Sequence, residues 1–339
     1  MKKIALIGCG HWGKNYLRVL RELKQQIVFC CDTNEKAVAW AKETYPLVPF
    51  TASLRDVIES PEVEAVVIST PATTHYDIAR QCLLNGKDVL LEKPLTIRVE
   101  DAEELIALAE RHRRILMVAH TFLYNPGIRR MKELMGKSDF GKTYYVHAVR
   151  THLGLIRSDV NAVWDLAPHD VSIFSYILDA QPVSVSAVGG RFLSQDKEDA
   201  AFISLVYPGG IIGNIHVSWA DSNKERRVVA VGSKKRIVFD DIDNLERLKI
   251  FEKGVSVERD ISSFGEFQYL LRDGDILSPK IEVGEPLKIE CQHFLECIEK
   301  RSAPFTDGRQ GLEVVKVICA VQESMKQNGM PVAINASSS

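Results

Sequence analysis

Lys3-Ile4-Ala5-Leu6-Ile7-Gly8-Cys9-Gly10-His11-Trp12-Gly13 is the stretch on which the reading of this chain turns. A short apolar run opens directly into a Gly-x-Gly-x-x-Gly loop. Leu17, Leu20 and Leu23 follow at helical spacing, and a second apolar run, Ile27-Val28-Phe29-Cys30-Cys31, ends on Asp32. An acid thus stands nineteen residues past the last glycine. Three glycines alone mean little. A strand before them, a helix after them and an acid beyond them are the context of a dinucleotide-binding loop. Gly8 suits the tight turn, Gly10 the approach of backbone to pyrophosphate, and Gly13 the close packing of helix on strand. The helix start adds unpaired N–H groups and a positive dipole end. Asp32 can accept both ribose hydroxyls and would repel a 2′-phosphate, and neither Thr33 nor Asn34 is an arginine, so NAD is expected over NADP. Cofactor contacts are expected from Gly8, Cys9, Gly10, His11, Trp12, Gly13 and Asp32.

At 339 residues the chain is longer than one ordinary domain. With 43 basic and 45 acidic residues, nothing calls for nucleic acid or a membrane surface as partner. No apolar run is long enough to span a bilayer. Met1-Lys2-Lys3 leads straight into a strand that the fold needs, so no cleavable signal is expected. The seven cysteines are odd in number and form no Cys-x-x-Cys pair. They are expected to be reduced thiols in a cytoplasmic protein, with no disulfide and no metal site.

Strands and helices alternate through the first third: Glu64–Ser69, a helix from His75 to the Asn85-Gly86 cap, Lys87–Leu91, an amphipathic segment over Val99–Arg113, and Ile115–Ala119. Such alternation implies parallel βαβ units, hence a doubly wound α/β sheet of the Rossmann kind. From about Gly141 the rhythm becomes strand after strand: Tyr144–His152, Val183–Phe192, Ala200–Tyr207, Ile211–Trp219, Arg227–Val231, Arg236–Asp240, Leu248–Phe251 and Val255–Arg259. Short connections such as Pro208-Gly209-Gly210 favour a large, open, mostly antiparallel sheet in an α+β domain. Two helices, Leu287–Arg301 and Gly308–Lys326, follow. The expected division is a NAD-binding domain over 1–122, a substrate-binding and oligomerisation domain over 123–335, and a disordered tail over 336–339. An open sheet with one helix-covered face has another to hide, so self-association into a dimer or tetramer through it is expected.

Ligands of an open parallel sheet collect beyond the carboxyl ends of its strands. Two motifs stand there. Ser69-Thr70-Pro71-Ala72-Thr73-Thr74-His75 leads from strand to helix, and Ser69, Thr70, Pro71, Thr73 and His75 are expected to line the cofactor. Glu92-Lys93-Pro94 follows the next strand. A cis Pro94 is expected there, fixing the direction of Lys93, and Glu92 and Lys93 are expected beside the cofactor. In the second domain, Trp164-Asp165-Leu166-Ala167-Pro168-His169-Asp170 would set Asp165 and His169 on one helical face. An acid beside a histidine can orient its ring, and histidine suits removal of a hydroxyl proton near neutral pH.

Carrying these motifs, together with Asn125-Pro126 and Thr306-Asp307-Gly308, the chain resembles the Gfo/Idh/MocA oxidoreductase family over essentially its whole length. The resemblance implies a Rossmann domain joined to an open-sheet domain and nicotinamide-dependent redox chemistry on sugars or cyclitols. It also implies that Lys93 and His169 face the reacting carbon and hydroxyl, with Asp165 nearby. Gly8–Asn15 and Arg157–Asp165 further resemble the nucleotide-sugar branch. Its members oxidise the C3 hydroxyl of UDP-N-acetylglucosamine, or of its uronate, to a ketone that is then aminated for lipid A or other surface glycans. On that resemblance, substrate contacts are expected from Lys93, Tyr124, Arg157, Asp159, Asn161, Trp164 and His169. Arg157 could pair bidentately with a phosphate or a carboxylate, which leaves the two sugars open. A 3-keto-sugar reductase and a cyclitol dehydrogenase are the neighbouring readings. A non-enzymatic dinucleotide-binding regulator is the distant one, and it would be expected to lose the lysine–histidine pair.

Overall fold

The computed structural model describes residues 1–154, 156–258 and 268–334, so the expected tail and Arg259 lie outside the described residues. The chain forms two compact units, neither contiguous in sequence. The first comprises Met1–Tyr124, Ser158–Val160 and Gly284–Cys319; the second comprises Asn125–Arg157, Asn161–Val283 and the chain from Ala320 onward.

In the first unit, strands β1 (Lys3–Ile7), β2 (Gln26–Cys31), β3 (Phe50–Thr51), β4 (Ala65–Ile68), β5 (Asp88–Glu92) and β6 (Leu116–Ala119) form one sheet in the order 3-2-1-4-5-6. Every pairing is parallel. This is the doubly wound dinucleotide-binding order, with its switch point between β1 and β4. Every residue of β4, β5 and β6 is buried, as expected of strands covered on both faces. Helices α1 (His11–Glu22), α2 (Glu35–Thr44), α3 (Leu54–Glu59), α4 (His75–Leu84) and α5 (Val99–His112) connect them. Much later in the chain, α8 (Pro286–Lys300) places Leu287, Cys291, Phe294, Cys297 and Ile298 in the same apolar core as Ile4, Leu6, Tyr16, Leu17 and Leu20.

One expectation fails here. Cys9 and Cys30 are not reduced thiols but are joined as a disulfide. The parallel pairing of β1 with β2 sets Leu6 against Cys30, so the loop that leaves β1 carries Cys9 back over β2 within a core that buries both side chains. Cys31, Cys82, Cys291, Cys297 and Cys319 are free thiols.

The second unit is built on β7 (Thr143–Thr151), β8 (Ser184–Gly190), β9 (Ala200–Val206), β10 (Ile212–Ser218), β11 (Glu225–Gly232), β12 (Arg236–Asp240), β13 (Leu248–Phe251), β16 (Ile276–Leu277) and β17 (Val332–Ala333). They form one sheet in the order 16-13-12-11-7-10-9-8-17, antiparallel except where β10 runs parallel to β7. A separate hairpin pairs β14 (Gly254–Glu258) with β15 (Gln268–Arg272). Helices α6 (Pro126–Met135) and α7 (Ala162–Leu178) pack on one face of the large sheet, and α9 (Gly308–Lys326) begins in the first unit and ends in the second. Strand alternation sends Val146, Ala148, Ile203, Leu205, Ile215 and Val217 to the buried side. It leaves Tyr145, Val188, Phe202, Val206 and Ile212 exposed, with Phe202 stacked on His216 at 4.2 Å. Among the described residues, no helix is long and apolar enough to cross a membrane.

Within the buried side lies one fully enclosed ion pair. Arg150 of β7 donates to both carboxylate oxygens of Asp170 on α7, at 2.9 and 2.8 Å, and neither residue is more than 4% exposed. Removing one member of such a pair strands the other charge in the core. Asp170→Ala is therefore expected to cost about 3–5 kcal/mol of stability, read as a lowered denaturant midpoint. The double replacement Arg150→Met with Asp170→Leu should recover most of that loss.

Candidate active site

The carboxyl edge of the first sheet gathers most of the residues singled out in the sequence. Gly8 adopts a φ of +94°, which favours glycine. A Cβ on Gly13 would lie 2.1 Å from the Gly8 carbonyl oxygen, so only glycine lets α1 start this close to β1. Ser69 clamps the turn from the other side, its hydroxyl donating to the Gly8 oxygen at 2.8 Å. The Asp32 carboxylate accepts from the backbone N–H groups of Cys9, at 2.6 Å, and Asn34, at 2.7 Å, which holds the acid beside the loop at the end of β2. Trp12 is 41% exposed, with its ring edge-on to His11.

These residues fit a dinucleotide. A Cβ on Gly10 would meet nothing within 4 Å, so the loop offers open space where backbone can approach a phosphate. The first turn of α1 has no side-chain cap and no acid, which leaves its N–H groups and positive dipole end for an anion.

The Thr70–His75 segment is braced internally. The Thr74 hydroxyl donates to Thr70 Oγ1 at 2.8 Å, and the buried His75 ring has its nitrogens 2.7 Å from the Pro94 carbonyl and 3.0 Å from that of Thr70. Asp159, expected at the substrate, accepts from the Ala72 N–H at 3.1 Å, next to exposed Pro71 and Thr73. The Lys93–Pro94 peptide is cis, as expected. The Glu92 carboxylate accepts from the Lys93 N–H at 3.1 Å and from the Tyr16 hydroxyl at 2.8 Å.

Behind Glu92 lies a set of groups that the sequence reading passed over. Glu290, on α8, is fully buried and accepts from the Thr121 hydroxyl at 2.9 Å. Burial, and then the nearby Glu92 carboxylate, push its pKa well above the usual carboxylate range. The same two causes raise the Tyr16 phenol. His120 follows β6. Burial, and then the Lys93 ammonium, push its imidazole down to about 3, so it is neutral at any working pH. Both groups left a trace in the sequence. His120 ends an apolar strand as Lys93 nearly does, and Glu290 interrupts the stripe Leu287, Cys291, Phe294 at helical spacing. Tyr124 lies inside the first unit with its hydroxyl 3.1 Å from Thr306 Oγ1 and its ring against His293 and Phe305.

The second unit places its own group of expected residues on and before α7. Asn161 caps the helix, accepting from the Trp164 N–H at 3.1 Å, and its amide donates to Glu198 and Gln322. The Asp165 carboxylate accepts from Arg157 on one oxygen and from the Trp219 indole on the other, each at 3.2 Å. Arg157 therefore has a carboxylate partner inside its own unit. His169, four residues on from Asp165, is half-buried, and its carbonyl accepts from the Ser172 hydroxyl at 2.7 Å.

Comparison with known proteins follows the same division. A model described as an oxidoreductase family with NAD-binding Rossmann fold, Gfo/Idh/MocA, matches residues 2–120, and one for the GFO/IDH/MocA C-terminal domain matches 128–238. UDP-N-acetylglucosamine 3-dehydrogenase from Acidithiobacillus ferrooxidans is 26% identical over 329 residues, covering 96% of this chain and 97% of that protein. A solved structure of that enzyme superposes with a TM-score of 0.79 at 26% identity, covering 96% and 98% of the two chains. The NAD(+)-dependent scyllo-inositol 2-dehydrogenase of Bacillus subtilis is 24% identical over 291 residues, 83% of this chain and 80% of that one. The WlbA dehydrogenase from Bordetella pertussis, solved with NADH and UDP-GlcNAcA, has the same fold, with a TM-score of 0.79 at 21% identity over 99% of each chain.

The two glycines should separate in their effects. Gly10→Ala is expected to leave the thermal midpoint unchanged and to weaken NAD binding by about 1.4 kcal/mol or more, a tenfold rise in Kd by titration calorimetry. Gly13→Ala, which forces a methyl into the Gly8 carbonyl, should lower the midpoint itself.

Proposed function

The chain belongs to the Gfo/Idh/MocA family of oxidoreductases, and from that premise we propose that it oxidises the C3 hydroxyl of UDP-N-acetylglucosamine to the 3-keto sugar. The observation that carries the choice of substrate is the end-to-end similarity to an enzyme of that name. The Gly8–Gly13 loop and Asp32 would hold NAD, which when bound would supply the hydride acceptor. His169 takes the proton of the sugar hydroxyl as general base. Lys93 donates a hydrogen bond to the same oxygen and stabilises the charge that develops there. Asp165, held by Arg157 and Trp219, fixes the start of α7 from which His169 projects. A 3-ketone is the group an aminotransferase converts to an amine, so the product suits synthesis of diamino sugars for lipid A or another surface glycan.

A second reading, oxidation of the uronate form of the sugar, turns on Arg157, whose guanidinium suits a phosphate or a carboxylate alike and in this structure contacts the Asp165 carboxylate at 3.2 Å. A 3-keto-sugar reductase and a cyclitol dehydrogenase remain within the family's chemistry.

Incubation with NAD and UDP-N-acetylglucosamine is expected to yield, by mass spectrometry, a product two hydrogens lighter, or its amine when an aminotransferase trap is present. Turnover of the uronate alone would move the substrate to the second reading. His169→Asn and Lys93→Ala should each lower kcat by about a hundredfold or more while leaving NAD affinity intact. Near-normal turnover in both would remove these residues from the mechanism.

We also propose that the open face of the large sheet, with Tyr145, Phe202 and Ile212 exposed, is covered by a second copy of the chain. Sedimentation at micromolar concentration should show a dimer or tetramer, and Phe202→Glu should shift it toward monomer. A wild-type protein that sediments as a single monomeric species would refute this.

A further inference from the structure

His120 stands immediately beyond β6 and is only 1% exposed, yet neither ring nitrogen has a hydrogen-bond partner among the described residues. The pairing of β5 with β6 sets Ala119 against Glu92, so the next residue of each strand, His120 and Lys93, leaves the same edge of the sheet together. A leucine in this position would fill the space with no polar group to strand. A buried polar group without a partner is costly in a folded protein and calls for a reason. The reason is not charge, since burial and the adjacent ammonium keep the imidazole neutral. A neutral imidazole instead carries one nitrogen that can only accept, whereas an ammonium carries three donors and no acceptor.

We propose that His120 is a positioning residue for Lys93, its acceptor nitrogen receiving one N–H of the ammonium in the NAD-bound protein and thereby aiming the others at the substrate oxygen. This rests on the reading of Lys93 as the group that holds the reacting oxygen. A donor misplaced by about 1 Å can cost on the order of a hundredfold in rate, so a small error in aim is enough to matter. One of the two ring nitrogens without a partner in this structure is then the acceptor held ready for that ammonium.

Three variants test this in the full-length protein with NAD and UDP-N-acetylglucosamine. His120→Leu removes the acceptor and keeps an apolar filler. It should keep or raise the thermal midpoint, leave the Kd for NAD unchanged, and lower kcat about tenfold or more with little change in KM. His120→Gln restores an acceptor and should recover most of the lost turnover. A histidine with no part in positioning Lys93 predicts instead that His120→Leu is as active as wild type, and one with a purely structural role that it is less stable. A second readout does not depend on the sugar. In NAD-loaded protein, the rate at which acetic anhydride acylates Lys93, followed by peptide mass spectrometry, should change severalfold in His120→Leu and return in His120→Gln. Unchanged labelling and unchanged turnover in His120→Leu overturn the proposal. Should Lys93→Ala itself retain turnover, the reading of Lys93 fails, and the labelling experiment alone then decides whether His120 positions it.

Discussion

The geometry of the first unit depends on one close approach, that of the Gly13 backbone to the carbonyl of Gly8. No side chain can occupy the gap, since even a Cβ would come within 2.1 Å of the oxygen. Because α1 can start so near the end of β1, its unpaired N–H groups point over the switch point of the sheet rather than away from it. The neighbouring strands are tied to the same turn, β4 through the Ser69 hydroxyl on the Gly8 oxygen and β2 through the Asp32 carboxylate on the Cys9 N–H. Lys93 and His120 then follow on β5 and β6, along the same parallel edge. A local contact between two glycines thus determines where four strands present their chemistry.

Each unit also has to bury charge, and they do so differently. In the second, Arg150 and Asp170 are paired with both oxygens used, and the cost of dehydrating each is offset by the other. In the first, burial pushes the Glu290 carboxyl well above the usual carboxylate range and the His120 imidazole down to about 3, which favours the neutral form of each, while the Glu92 carboxylate takes hydrogen bonds from the Tyr16 hydroxyl and the Lys93 N–H.

Much of this was legible in the sequence because parallel strands covered on both faces read as unbroken apolar runs. Ala65–Ile68, Asp88–Glu92 and Leu116–Ala119 lie within a residue or two of where their composition puts them. The glycine spacing and Asp32 marked the close turn from β1 into α1 and the acid that brackets it. What escaped had weak local signals. Helix α2 buries only Ala41, so no apolar stripe announces it, and β3 has two residues. The partners of Asp159, Asn161 and Arg157 depend on long-range contacts or on loop geometry that spacing does not encode. The disulfide between Cys9 and Cys30 was missed for a related reason. Composition speaks to an average environment, whereas the register of β1 on β2 brings two particular sulfurs together.

The first unit is assembled from chain segments that leave the ribosome far apart in time. Its strands are complete by Ala119, but the helix whose Leu287, Phe294 and Ile298 fill the same core arrives more than 160 residues later. A nascent chain that has emerged only through Tyr124 therefore carries a sheet with part of its apolar cover missing, during the whole synthesis of the intervening second unit. Contacts of such long sequence separation slow folding, and exposed apolar surface on an incomplete domain favours aggregation. Fragments that stop at the end of the Rossmann strands should be poor material for expression, however complete they look as a sequence motif.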